Sequence, residues 1–86
     1  MKYWLKCEVT KGMLPKEQAV TLTSADGKKL SLFAADEALE TRNGLQVIAV
    51  ELVDQNSTHG LVRLPAMPLE GSAVVKVKND QIVRTQ

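Results

Sequence analysis

Aromatic side chains are almost missing from this chain: Tyr3, Trp4 and Phe33 are all it has. The core must therefore be aliphatic, carried by Leu, Val and Ala. The shortage also counts against a single-strand nucleic-acid binder, which stacks successive bases on aromatic rings. Cysteine is reduced to Cys7. No internal disulfide can form, so no oxidising compartment is implied. Histidine is reduced to His59, inside the polar run Asn56-Ser57-Thr58-His59-Gly60. One Cys and one His at distant positions fall short of the usual four ligands of a zinc site, so no metal centre is expected. The glycines are too far apart for either phosphate-cradling spacing, and no cofactor is expected. No stretch approaches the ~20 apolar residues of a membrane-spanning helix. The start, Met1-Lys2-Tyr3-Trp4-Leu5-Lys6, lacks the apolar run of a signal peptide. The chain therefore reads as cytoplasmic with no membrane partner, and the glycosylation pattern Asn56-Ser57-Thr58 reads as coincidence.

What is present is ordinary globular composition. The 86 residues are 44% apolar and 24% charged, enough for one domain over 1–86 and too few for two. A domain of this size buries only about 60–65% of the surface its unfolded chain exposes, so its core is thin. The net charge of +1 creates no strong field towards nucleic acid or membrane. Charge is unevenly spread, however. The balance is +3 over residues 1–29, −4 over 30–60 and +2 over 61–86. If the two ends pair, they form one basic side.

Gly12, Gly27, Gly44, Gly60 and Gly71 each follow a polar residue. Asp26-Gly27 and Asn43-Gly44 are strong turn signals, because both residues of such pairs tolerate positive φ. Turns at this spacing leave short segments between them, the rhythm of a β-barrel or sandwich. Tyr3 to Thr10 alternates as a half-buried strand, with Tyr3, Leu5, Cys7 and Val9 on one face and Trp4, Lys6, Glu8 and Thr10 on the other. A loop with Met13, Leu14 and Pro15 follows. Ala19–Thr23 and Leu30–Ala34 form a hairpin, pairing Val20 and Leu22 with Leu30 and Leu32. Asp36–Asn43 is the one helical candidate, capped by Asp36 and ended by Gly44, with Leu39 as its anchor. At about two turns it must lean on a sheet.

Leu45–Val53 is apolar in both phases, so it is a central strand covered twice or one that carries a bulge. Leu61–Leu64 is a short strand ended by Pro65, and Ala73–Lys78 is another, with Val75 and Val77 inward. Asn79-Asp80 turns the chain and Ile82-Val83 closes it. Five to seven short strands with one small helix near 36–43 predict a mainly β fold, a bent antiparallel sheet closing towards a barrel. By element pattern a Src-homology-3-like barrel ranks first and an oligonucleotide/oligosaccharide-binding barrel second.

No constellation of catalytic residues stands out. Cys7 sits on an apolar strand face, where thiols are packing groups, and pairs with His59 only if the fold brings them together. Asp36, Glu37 and Glu40 read as a helix cap and solvated surface before they read as a cation or acid–base site. Pro65-Ala66-Met67-Pro68, with Arg63 upstream, has the spacing of a polyproline ligand but reads first as a loop. Trp4 carries most weight. Its phase places a large indole with Lys6 on the polar face of the first strand, where exposed Trp marks contact surfaces. The leading expectation is a non-catalytic binding module that meets a protein partner or itself through Trp4 and Lys6. The runner-up is weak nucleic-acid binding through Lys76, Lys78 and Arg84. An enzyme ranks third.

Overall fold

The computed structural model describes residues 2–11 and 15–85, so the expected loop residues Gly12, Met13 and Leu14 lie outside the described residues. The fold is mainly β and antiparallel throughout. Its strands are β1 (Lys2–Lys6), β2 (Glu8–Lys11), β3 (Glu17–Thr23), β4 (Lys29–Ala35), β5 (Leu39–Arg42), β6 (Leu45–Gln55), β7 (His59–Arg63), β8 (Val74–Lys78) and β9 (Ile82–Thr85). A six-stranded sheet runs in the order β8-β7-β6-β1-β9, with β5 also paired to β6, and a three-stranded sheet runs β2-β3-β4. The radius of gyration is 12.0 Å, matching the ~12 Å expected of a compact chain of this length.

The expected first strand is one alternating run that changes sheets. Up to Lys6 it pairs with β6 and β9; from Glu8 it pairs with β3. Cys7 is the joint, and its N–H donates to the Gln46 carbonyl at 3.0 Å. The hairpin forms in the expected register, Val20 opposite Leu32 and Leu22 opposite Leu30. Both readings of the apolar central segment hold at once. β6 pairs with β1, β5 and β7, it buries Val47 and Ile48 on its opposite faces, and its register with β7 shifts between Leu52 and Asp54. Between the sheets lies one core, from Leu5, Ile48, Val62 and Val77 on one side and Val20, Leu22 and Leu32 on the other.

Two expectations are corrected. The helix over 36–43 does not form. Asp36–Ala38 makes a single 3-10 turn, and Leu39–Arg42 is strand β5. The Asn43-Gly44 pair read as a helix end is instead the two-residue turn joining Arg42 to its partner Leu45. Both residues have positive φ, 51° and 79°, as the turn that suits strand twist requires. A two-turn helix carries its nucleation cost alone, whereas β5 completes hydrogen bonds along an edge of β6. Gly60, read as a turn residue, lies inside β7 and is buried. A Cβ there would sit 2.7 Å from Ile82 Cδ1, so this glycine admits the close approach of β9 to β7.

Candidate functional site

Trp4 is 3% exposed, which overturns its expected role as an exposed contact. The alternation itself is correct, because Trp4 and Leu5 do face opposite sides of the sheet. What the expectation missed is that the outer face is covered as well. β1 is flanked by β6 and β9, so Trp4 sits between Ala49 and Val83. The Lys2 Nζ lies 4.8 Å and the Arg42 Cζ 5.6 Å from the ring centroid. The indole N–H donates to Thr85 Oγ1 at 3.2 Å. Long cationic side chains laid over an indole bury their stems and gain cation–π attraction. Lys6 remains exposed, but no exposed aromatic accompanies it.

Cys7 is half-buried and packs against the core. Burial pushes its thiol up to about 11, which suppresses the thiolate that reactivity requires. It lines a small cleft with Glu8, Thr23 and Gln81, while His59 lines a different one. Asp36 accepts a hydrogen bond from Gln18 Nε2 at 3.0 Å, and Glu40 pairs with Arg42 at 2.8 Å. Both carboxylates are thus engaged by their neighbours. Among the described residues no group of three or more His, Cys, Asp or Glu side chains is placed to hold a metal ion, and no helix is long and apolar enough to cross a membrane. In the Pro65–Pro68 stretch Pro68 is buried, so that proline is not presented as a free ligand.

Of the basic residues, Lys76 and Lys78 are exposed on β8, and Arg84 lies on β9, which the 3-10 turn Asn79–Gln81 joins directly to β8. Arg84 lies 5.5 Å from the Tyr3 ring and donates to Gln55 Oε1 at 3.3 Å. Lys76 instead meets residues that no sequence pattern linked to it. The turn between β3 and β4 docks on β8 through the Ala25 N–H, which donates to the Lys76 carbonyl at 2.8 Å. A cleft of about 520 Å³ opens there, with Ser24, Asp26, Lys28, His59, Ser72 and Lys76 around it. Leu30, Val74 and Val75 add apolar lining. Asp26 is held by its own turn: Ser24 Oγ and the Lys28 N–H both donate to it, and these bonds lower its carboxyl below the ordinary range. Lys28, in the β3–β4 turn, and Lys76, on β8, meet at this cleft, which no local spacing could have signalled.

No protein-family model, no curated protein and no solved structure matches the chain.

A second surface is defined by register. On the three-stranded sheet the side chains facing away from the core are Thr10, Ala19 and Phe33 in one row and Glu8, Thr21 and Ser31 in the next. Phe33 is 38% exposed. The Leu69 N–H donates to the Ser31 carbonyl at 2.8 Å, which sets Leu69, 66% exposed, beside the β4 edge of this sheet.

Proposed function

We propose that the chain is a non-catalytic binding module that associates with a second copy of itself through the outer face of β2-β3-β4. The observation that carries this reading is that face: part-exposed Phe33 among Ala19, Ala35, Thr10 and Thr21, with Glu8 in the neighbouring row and exposed Leu69 at the β4 edge. Uncovered apolar groups gathered in one place mark contact surfaces. The choice of a second copy rests on charge. Glu17, opposite Ala35, stands at one end of the β3–β4 ladder, and Lys29, opposite Thr23, stands at the other. Two such faces stacked antiparallel about a two-fold axis bring Glu17 of each copy to Lys29 of the other. The net charge of +1 offers little repulsion. The separation of Cys7 from His59 supports a non-catalytic role. Three short strands offer less than the ~800 Å² per partner of a standard interface, so the association is weak.

Sedimentation velocity over a concentration series tests this. The expected result is reversible dimerisation, lost in Phe33→Glu, weakened in Glu17→Lys or Lys29→Glu, and restored when both charge changes are combined. A chain that stays monomeric up to about 1 mM, the weak end of specific association, overturns it.

A further inference from the structure

We propose that the cleft between the β3–β4 turn and β8 binds a small organic phosphate monoester, its phosphate held by Lys28, Lys76, Ser72 and His59 and its apolar body against Leu30, Val74 and Val75. This site is independent of the self-association surface. Four features carry the assignment.

The first is charge. Lys28, from the β3–β4 turn, and Lys76, from β8, line one cleft, and the only carboxylate lining it, Asp26, already accepts hydrogen bonds from Ser24 and Lys28. The cleft therefore keeps a positive surplus in a chain that is nearly neutral as a whole.

The second is the direction of the hydroxyl and imidazole protons. Ser72 Oγ accepts from the Val74 N–H at 3.1 Å, so its own proton is free to donate outward. The Thr58 hydroxyl lies 2.7 Å from His59 Nδ1 and 3.2 Å from Asn56 Oδ1. It has one proton to give. Asn56 Oδ1 already accepts the Thr58 and His59 amides at 2.9 and 2.8 Å, so we assign the hydroxyl proton to Nδ1. The ring proton then sits on Nε2, which becomes a donor. Two ammonium groups call for more negative charge than the single charge of a carboxylate, and with a hydroxyl and an imidazole N–H they offer donors from several sides. They suit the three peripheral oxygens of a phosphate monoester.

The third is volume and lining. A cleft of about 520 Å³ falls in the range of small-molecule sites, which pair apolar walls with a few placed polar groups. The fourth is rigidity. The turn is closed by Ser24 N–H to the Lys28 carbonyl at 2.8 Å and Gly27 N–H to the Ser24 carbonyl at 3.0 Å, and it is tied to β8 at Lys76. The two lysines are thus carried on fixed backbone, which lowers the ordering cost of binding.

The test is an amide-resolved NMR titration of the full chain with phenyl phosphate, beside phenol, inorganic phosphate and a short oligothymidylate. Phenyl phosphate should give saturable shifts at Ala25, Lys28, His59 and Val75, tighter than phenol or inorganic phosphate. Lys28→Ala and Lys76→Ala should each weaken it about tenfold, with spectral dispersion unchanged because the Ala25 bond uses the Lys76 backbone. No saturable shift overturns the proposal, as does equal binding of phenol or indifference to both lysine variants. Tighter binding of the oligonucleotide, with shifts extending to Lys78 and Arg84, overturns it in favour of a phosphodiester-backbone reader.

Discussion

Replacing Trp4 by Ala tests the central feature of the packing. The indole is 3% exposed. A Trp buried to this degree removes roughly 150–250 Å² from water, worth about 4–6 kcal/mol at ~25 cal/mol per Å². The Lys2 and Arg42 contacts add about 0.5–1 kcal/mol each, and the bond to Thr85 about 1 kcal/mol. Against this, the unfolded chain already covers part of the indole, and Lys2 and Arg42 can swing into the vacated space. The expected loss is therefore about 3–5 kcal/mol, the usual range for truncating a buried aromatic. Urea unfolding followed by far-ultraviolet circular dichroism measures it without relying on the deleted fluorophore. In the unsubstituted protein the emission should be blue-shifted, resistant to acrylamide, and constant across the concentrations at which self-association begins, because β1 is not part of the proposed interface. A loss below ~1 kcal/mol, or red-shifted and readily quenched emission, would refute the burial.

Gly60→Ala should cost on the order of 1 kcal/mol by overpacking, and Ile82→Val in that background should recover part of it, because the clash is with Ile82 Cδ1; a thermal-unfolding double-mutant cycle reads the coupling. Gly44→Ala meets open space but keeps a φ of 79°, so chemical denaturation should report about 1–2 kcal/mol of pure backbone strain. The Cys7 thiol should react slowly with a disulfide reagent near neutral pH and rapidly in denaturant. Its folded-state value of about 11 lies above the ordinary thiol value of 9.0, because burial disfavours the thiolate. Between these values the unfolded chain has released the proton and the folded chain retains it. The contribution of Cys7 to stability is therefore complete below about pH 9 and falls as pH rises towards 11; Cys7→Ala should remove that part of the alkaline decline.

Local patterning was enough wherever one strand face met one core. The β3–β4 hairpin, its Val20–Leu32 and Leu22–Leu30 pairs, and the inward Val75 and Val77 of β8 follow from period-two alternation bounded by a turn. The doubly apolar β6 announced its central place in the same way. The Asn43-Gly44 pair was legible as a chain reversal, but its role was not, because positive φ serves a helix end and a tight hairpin alike. The choice depended on β6 having an edge for β5 to join. Trp4 was placed on the correct face and given the wrong environment. Alternation tells which side of a strand a residue occupies, whereas coverage of that side comes from Lys2, Arg42 and Thr85 on other parts of the sheet. The cleft was illegible for the same reason. The chain's own order determined most of its strands and turns, though not β5 or the place of Gly60, and the side of each strand that faces the core. Only tertiary packing decided which strands lie side by side, and so brought Lys28 in the turn of one sheet to Lys76 and His59 on the other, since contacts between distant residues follow from burying both apolar faces together.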